Sequence, residues 1–250
     1  MRPAISVLTC CLVLLLVSPH PARAAGPVYP EYQLPAPAVS TAGNLLLFWT
    51  DEQDLKAVTL LSFSRDRPVG IVSIPLFICL DTPQAEVTVA DTYYRQGRTE
   101  LTSRLEQMFR QPIQYYVIID QSTLSHMSEV VGAIDIGENE TTLLDVFEGN
   151  YDDRPNSLQA EIRGLAANLL TPSTVVKLPQ LIWIYSTEVD SNLGPRHVLG
   201  LYRLVKVNGP GVLYKKAIPG VDYQIRDRRL RVVEPHTWTK VLEQVSDFKT

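Results

Sequence analysis

The sequence predicts an α/β (α+β) sandwich in which a central mixed β-sheet is flanked by helices. Its composition, 45% hydrophobic and 20% charged over 250 residues, is that of a chain that buries a sizeable core. Short apolar runs bounded by polar turns indicate buried strands, and amphipathic segments lie between them. Because strands and helices interleave along the chain, we expect packed layers of sheet and helix.

The apolar runs define the predicted strands. Leu45–Trp49 is uninterrupted, which fits a central strand that is buried on both faces. Val58–Phe63 and Val69–Ile74 flank a short polar turn, and this arrangement favours a β-hairpin. Further strands are predicted at Tyr115–Ile119 and Gly132–Ile136, and a second hairpin at Tyr223–Ile225 and Leu230–Val233.

Apolar residues at helical spacing define the predicted helices. These helices span Thr99–Arg110, Thr123–Val131, Ser157–Leu170 and Thr237–Phe248. Two of them end shortly before a proline, Pro112 or Pro172, as helices commonly do. Leu181–Tyr185 is apolar but short, so helix and strand both stay open there. Gly194–Val205 is predicted to begin with a helical turn and to end as a strand.

The first 42 residues are expected to stand apart from the domain. Residues 1–24 have the pattern of a secretory signal peptide, with Arg2, an apolar run over Leu8–Val17 and small residues before the cleavage point. Residues 25–42 are rich in proline and are predicted to form a linker or arm, followed by one domain over residues 43–250. The protein is therefore expected to be exported to the cell envelope or secreted, with an uncleaved N-terminal membrane anchor as the alternative.

Charge and cysteine content exclude several functional classes. The formal net charge of −4 argues against nucleic acid as a partner, because phosphate backbones are bound by basic surfaces. Two of the 3 cysteines lie in the predicted signal peptide, and Cys79 lies in an apolar run that predicts burial. No phosphate-binding glycine loop, nucleophile elbow or metal-binding histidine pair is present in the sequence.

Several segments occur in an order that resembles a known family. Asn44–Asp51 is similar to a strand ending in Gly-x-Asp, and Val69–Pro75 ends in the Ser-Ile-Pro of a Ser-Ile-Pro-Arg-Asp signature. Pro112–Val117, Val131–Ile136 and residues 151–172 follow in register. The series resembles the LytR-CpsA-Psr family of bacterial cell-envelope proteins, which act in cell wall biogenesis. Members transfer a polymer-bearing phosphoryl group from a polyprenyl pyrophosphate lipid to peptidoglycan or to a protein.

The resemblance implies a particular chemistry. Family members use Mg²⁺ held by two aspartates, together with arginines that grip phosphate and an apolar cavity that holds the polyprenyl chain. Here Asp51 matches one metal-binding aspartate, but the second aligns with Lys56. The Arg-Asp of the signature is replaced by Leu76 and Phe77.

The late helix of the family carries Arg-x-x-Arg-Gln, of which Arg154 matches the first arginine and Ser157 replaces the second. The candidate ligand-binding or phosphate-binding residues are therefore Asp51, Lys56, Tyr93, Arg154 and Arg163, with Asp51 also the candidate metal ligand. If the protein is active, Arg154 is the candidate catalytic residue.

Each candidate also has a structural interpretation. The Lys56 ammonium could take the place of the metal beside Asp51, or it could be an ordinary exposed lysine. Arg154 could contact an anion or pair with Asp152 or Asp153. Arg163 could reach the same cleft or lie on a solvated helix face, and Tyr93 could line a cavity or belong to the core.

Three functional hypotheses follow. The first is a catalytically degenerate family member, a pseudoenzyme without a cofactor, that binds a polyprenyl-type lipid, a cell-wall glycopolymer or other envelope proteins. The second is an active, divergent, Mg²⁺-dependent glycopolymer phosphotransferase. The third is an unrelated secreted structural or interaction module.

Overall fold

The computed structural model describes residues 43–64, 67–80, 87–136, 139–148 and 158–247. The predicted signal peptide, the proline-rich arm and Arg154 lie outside the described residues. In chain order the strands are β1 (Gly43–Asp51), β2 (Asp54–Ser64), β3 (Arg67–Ile74), β4 (Tyr115–Asp120), β5 (Ala133–Ile136), β6 (Asn139–Thr142), β7 (Asp190–Ser191), β8 (Leu213–Ala217), β9 (Val221–Ile225) and β10 (Arg228–Val232). The helices are α1 (Val89–Phe109), α2 (Gln121–Val131), α3 (Leu143–Glu148), α4 (Leu158–Leu169), α5 (Pro172–Glu188), α6 (Pro195–Asn208) and α7 (Pro235–Ser246).

A mixed six-stranded sheet in the order β7-β4-β1-β2-β3-β8 forms the centre of the molecule. Strand β1 is parallel to β4, β3 is parallel to β8, and the hairpin strand β2 is antiparallel to both β1 and β3. The strands β1, β3, β4 and β8 consequently point the same way, so that their carboxyl ends share one end of the sheet. Two small sheets, β5-β6 and β9-β10, lie outside it.

Helices cover both faces of this sheet and form two cores. Helices α1 and α7 pack on one face with Leu46 and Phe48, and helices α2 to α6 pack on the other with Leu45 and Leu47. Strand β1 is thus buried on both faces, which is why its sequence is continuously apolar instead of alternating. Helix α7 lies so close to β3 that a Cβ added at Gly70 would come within 2.6 Å of Val245 Cγ2.

Helix α1 is longer than the sequence indicated because it continues across a kink. Thr88 and Asp91 form a capping box at its start, where the Asp91 amide donates to Thr88 Oγ1 and the Thr88 amide donates to Asp91 Oδ2. Gly97, with φ of 81°, interrupts the helical conformation. It joins the first part of α1 to the second part, which the sequence predicted as a helix over Thr99–Arg110.

The fold class predicted from the sequence is confirmed, as are the hairpin β2–β3, strand β4, helix α2 and the hairpin β9–β10. The prediction for Gly194–Val205 is wrong, because Pro195–Asn208 is helical throughout. Its apolar residues Leu201, Tyr202 and Val205 follow helical spacing and are buried, so they form the packed face of a helix. The ambiguous segment Leu181–Tyr185 belongs to helix α5. Among the described residues, no helix is long and apolar enough to cross a membrane.

Candidate functional site

A β-bulge brings Lys56 to Asp51 at the carboxyl end of β1. Trp49 pairs with Ala57 and Thr50 pairs with Leu55, so Lys56 is an extra residue in β2 without a partner in β1. Bulges redirect side chains and are frequent beside functional sites. Here Lys56 Nζ lies 3.0 Å from Asp51 Oδ2, and the two side chains are 39% and 42% exposed. The site thus contains a half-exposed ammonium–carboxylate pair.

The neighbours of Lys56 stabilise its charged form. The hydrogen bond to Asp51 raises the pKa of Lys56 above its ordinary value, and the negative charge of Asp54 acts in the same direction. Burial opposes the shift only in part. The hydroxyl of Tyr94, from helix α1, accepts a hydrogen bond of 2.8 Å from the Leu55 backbone N–H. Helix α1 therefore fixes the backbone on one side of the bulge.

Asp120 ties the β1–β2 turn to helix α2. Its Oδ2 accepts a 3.1 Å hydrogen bond from the backbone N–H of Glu52, which has a φ of 54°. Its Oδ1 accepts from the backbone N–H and the hydroxyl of Ser122 at 3.0 and 2.7 Å, which caps α2. Burial raises the pKa of Asp120, but the hydrogen bonds from Ser122 and from the Glu52 backbone outweigh it, so the pKa is lowered overall. The carboxylate holds a turn residue in the left-handed conformation that L-residues disfavour.

A second polar chain lies beside Asp120. The indole Nε1 of Trp49 donates to Gln121 Oε1 at 2.9 Å, and Gln121 Nε2 donates to Glu148 Oε1 at 2.5 Å. Sequence reasoning missed Asp120, Gln121 and Glu148 as members of this end of the sheet. The signal that could have found the first two is their position directly after a strand, because carboxyl ends of parallel strands meet at one edge.

The residues at this end do not fit the Mg²⁺ that the family resemblance implies. Mg²⁺ takes oxygen ligands in near-octahedral geometry, and proteins commonly hold it with one or two free carboxylates while waters and substrate phosphates complete its shell. Here Lys56 is bound to Asp51, and both oxygens of Asp120 accept hydrogen bonds. In the part of the chain that the structure describes, no group of three or more His, Cys, Asp or Glu residues could hold a metal.

The two apolar residues after Pro75 are packed into the structure. Leu76 packs against the core of α1 and α7. The ring of Phe77 lies under two guanidinium groups of the β9–β10 hairpin, with centroid distances of 4.4 Å to Arg229 and 5.0 Å to Arg231. The positions where the resemblance places an Arg-Asp pair therefore serve packing.

Tyr93 lies near this end and packs against the core. Its ring centroid is 5.8 Å from that of Phe48 and 6.0 Å from that of Tyr94. Burial raises its pKa above the ordinary value for tyrosine. The structure thus places Tyr93 in an aromatic group between helix α1 and strand β1.

Arg163 is not brought to Asp51. Its Nη2 donates to the carbonyl of Gly211 at 3.2 Å, and Gly211 lies just before the start of β8. That is the opposite end of the sheet, about 25 Å away along the nine-residue strand β1. A cavity of about 730 Å³ also lies at that opposite end, lined by Gly43, Asn44, Phe63, Arg110, Gln114 and Leu242 among others.

Comparison with known proteins gives both a sequence match and a structural match. Residues 46–153 match the model of the LytR_cpsA_psr family. The crystal structure of TagV from B. subtilis is similar with a TM-score of 0.65 and 15% identity, over 84% of this chain and 98% of TagV. The Lin1025 protein of Listeria innocua is similar with a TM-score of 0.58 and 15% identity, over 83% of this chain and 99% of that protein.

A structure of TagT bound to LIIa-WTA is similar with a TM-score of 0.53 and 15% identity, over 82% of this chain and 89% of TagT. No curated protein sequence matches the chain significantly. At such identities the structural likeness concerns the fold, and the sequence match covers β1 to the segment before α4. The sequence match over residues 46–153 and the fold shared with TagV and TagT together show that the chain is similar to proteins of the LytR-CpsA-Psr family.

Proposed function

We propose that this protein is a catalytically degenerate cell-envelope protein that binds a polyprenyl-phosphate-type ligand without transferring its phosphoryl group. The observation that carries the proposal is the ion pair of 3.0 Å between Lys56 Nζ and Asp51 Oδ2. An ammonium stands there where the family chemistry calls for a metal held between two aspartates. The match of residues 46–153 to the family model supports a role in the cell envelope.

Among the residues that the structure describes, the positive charge beside Asp51 is small for phosphoryl transfer. That reaction depends on positive charge placed where negative charge develops on the transferring oxygens. Lys56 is largely neutralised by Asp51, while Leu76 and Phe77 contribute no charge. The remaining ammonium can attract a phosphate oxygen, but it cannot replace a divalent ion together with several arginines.

Lys56 keeps the capacity to bind a ligand. An ammonium has three donors, of which Asp51 takes one, and the side chain is 39% exposed. The similar TagT structure contains a wall teichoic acid intermediate, which supports a lipid-linked glycopolymer as the ligand class. The predicted signal peptide over residues 1–24 agrees with an extracytoplasmic location.

The absence of a metal requirement can be tested by restoring the second carboxylate. We expect the wild-type chain to show no saturable Mn²⁺ binding at millimolar concentration, measured by electron paramagnetic resonance. Lys56→Asp should gain such binding, because it places a second carboxylate beside Asp51. Lys240→Asp, on the exposed side of α7, is the matched control with the same charge change and should bind no metal. Saturable binding by the wild type that requires Asp51 would overturn the proposal.

Ligand binding and turnover are measured with polyprenyl pyrophosphate in detergent micelles. We expect the full chain to retain the lipid in native mass spectrometry and to release no phosphate, with or without Mg²⁺. Lys56→Ala should weaken retention several-fold, whereas Lys240→Ala should not. Mg²⁺-dependent release or transfer of phosphate would instead establish the divergent phosphotransferase, in which Arg154→Ala abolishes turnover. If Lys56→Ala retains the lipid as well as the wild type does, Lys56 is not part of the binding site.

A further inference from the structure

The cavity of about 730 Å³ lies where strand β1 begins. Its wall is formed by the first residues of β1, by the end of helix α1 up to Arg110, and by the end of helix α7 around Ser246. Gly43, the first residue that the structure describes, is one of the lining residues. The proline-rich arm over residues 25–42 therefore joins the domain at the wall of this cavity.

The start of β1 is held tightly in place. A Cβ added at Gly43 would lie 2.9 Å from Tyr115 Cε2, so β1 and β4 are in close contact there. The N–H of Asn44 donates to Gln114 Oε1 at 2.8 Å, and its Nδ2 donates to the carbonyl of Pro112 at 2.9 Å. Because this attachment point is fixed, the last residues of the arm stay within reach of the cavity.

The wall offers hydrogen-bond donors that have no acceptor among the described residues. The Oγ of Ser246 is buried and has no hydrogen-bond partner, and the Nε2 of Gln114 donates to no described residue. The guanidinium group of Arg110 forms no ion pair within the described part of the chain. Glu243 and Asp247 line the same wall, and their negative charges disfavour an anion. A buried hydroxyl without an acceptor costs free energy, so the wall favours a neutral occupant that is rich in acceptors.

We propose that the end of the arm, within residues 34–42, binds in this cavity. The segment reads Leu-Pro-Ala-Pro-Ala-Val-Ser-Thr-Ala and contains no charged side chain. Pro35 and Pro37 each have a backbone carbonyl but no N–H, so the segment has more backbone acceptors than donors. Proline-rich segments favour the polyproline II conformation, in which the carbonyls have no partner within the segment. The arm is therefore neutral and rich in acceptors, as the wall requires.

The apolar part of the wall suits the same segment. Phe63, Phe109 and Leu242 line the cavity, and proline-rich segments bind to grooves that are lined by aromatic side chains. The volume is in the range that holds a drug-sized ligand. Residues 34–42 span up to about 30 Å when fully extended, so only part of the segment enters the cavity.

Covalent attachment favours the arm over any free peptide. A short tether gives an effective concentration on the order of millimolar, so a contact that is weak for a free peptide is occupied within the chain. Residues 248–250 are the rival occupant, because they follow Asp247 at the same wall. They contain no proline and include Lys249, so they would add donors to a wall that already has unused ones.

A bound arm sets the orientation of the domain. The arm leaves from the amino end of the sheet, whereas Asp51 and Lys56 lie at the carboxyl end, about 25 Å away along β1. Whatever holds the residues before the arm is thus kept at the end of the domain opposite the ion pair. The Asp51–Lys56 end stays open, and the cavity is filled from within the chain.

Photo-crosslinking in the full chain tests the proposal. Val39 is replaced by a diazirine amino acid of similar size, and the products are mapped by mass spectrometry after irradiation. We expect links within one molecule to residues 109–112 or 239–247, at a yield at least fivefold above that of the same probe at Val28, near the start of the arm.

Two variants of the wall should reduce this yield at least threefold. Ser246→Ala removes the buried hydroxyl that donates to an arm carbonyl. Arg110→Gly removes the guanidinium group without strain, because Arg110 has a φ of 53°, which glycine adopts readily. Lys240→Ala is the matched control, since Lys240 is exposed on α7 and does not line the cavity, and it should leave the yield unchanged.

Glycine substitutions test the chemistry of the arm itself. Pro35→Gly together with Pro37→Gly adds two N–H donors and loosens the extended conformation, so it should also reduce the yield at least threefold. Pro27→Gly together with Pro30→Gly is the control and should not. A yield that neither wall variant changes would overturn the proposal, as would links to other parts of the surface or between two molecules. Links from a diazirine at Phe248 into the cavity, with none from Val39, would assign the cavity to residues 248–250.

Discussion

The interior of strand β1 and its carboxyl end differ in what their side chains do. Leu45, Leu46 and Phe48 are fully buried and pack against helices on both faces of the sheet. A few residues further, Asp51 forms an ion pair and Glu52 hydrogen-bonds to Asp120. The interior is fully buried, whereas the charged end is half exposed and its side chains form polar contacts.

This difference shows that fold and chemistry depend on separate residues of one strand. The interior is constrained by close packing on both faces, so its apolar residues are needed for any function on this fold. The charged end is half exposed, so a substitution there should change the chemistry of the site with little effect on the core.

The largest effect is expected from Phe48→Ala in the interior. The substitution leaves a cavity between the sheet and helix α1 and removes the ring contact with Tyr93. It should lower the free energy of unfolding by about 3–5 kcal/mol, measured by urea denaturation. Tyr94→Phe, which removes one hydrogen bond from the Leu55 backbone N–H at the charged end and leaves no cavity, is the control and should change much less. Equal losses in both variants would contradict the division of β1 into two regions.

A smaller effect is expected from Asp120→Ala. The Asp120 carboxylate connects the charged end of β1 to helix α2. The substitution removes the cap of α2 and the hydrogen bond to Glu52, and it should lower the unfolding free energy by about 1–2 kcal/mol at pH 7. The folded pKa of Asp120 is lowered, so this stabilisation is present above its ordinary value of 3.8 and disappears as the pH falls through the folded value. Urea denaturation at pH 7 and at pH 3 should show the difference shrinking in acid. A difference that grows in acid would be inconsistent with this role.

The Lys56–Asp51 pair should contribute less than about 1 kcal/mol, because both side chains are half exposed. A double-mutant cycle of Lys56→Ala and Asp51→Ala measures the coupling. The coupling energy should decrease in 1 M salt, because salt screens the two charges. The pKa of Lys56 is raised above its ordinary value of 10.5. On the alkaline side the coupling is therefore complete up to pH 10.5, and it is lost as the pH rises through the pKa of Lys56 in the folded protein. A coupling of several kcal/mol would show that this end is structural.

The smallest effect on global stability is expected from Asp222→Asn in the exposed hairpin. Its folded pKa of about 2 is below the ordinary 3.8, so its stabilising effect is present above 3.8 and is lost near pH 2. A carboxyl carbon titration by NMR should show the low value directly, and Arg231→Gln should bring it back toward 3.8. A normal titration of Asp222 in the wild type would show that the two arginines do not hold this carboxylate.

The sequence predicted the elements whose signals are local. The continuous run of β1, the polar turn between β2 and β3, and the helical spacing in α4 and α7 were each visible within a dozen residues. Strand β8 escaped prediction because it is short and contains two lysines, and only its pairing with β3 makes it a strand. Helix α6 was misassigned in part because its valines favour strands, although tertiary packing makes them helical.

The candidate site was predictable in its composition and not in its geometry. Asp51 and Lys56 could be singled out because the resemblance places charged residues there. That they touch depends on one extra residue in β2, and a bulge cannot be identified from apolar alternation alone. Arg163 has the same charge as Lys56, but its helix delivers it to the other end of the sheet.

The sequence by itself determined the layered fold, the buried strands and the apolar character of Leu76 and Phe77 after the Ser-Ile-Pro segment. These features depend on hydrophobic periodicity and residue type, which are local properties. Only the tertiary structure decided that Lys56 reaches Asp51, that Phe77 lies under the hairpin arginines, and that β9 pairs with β10 alone among the described residues. Each of these depends on strand register and on contacts between distant segments, and such contacts are established only when the whole chain packs.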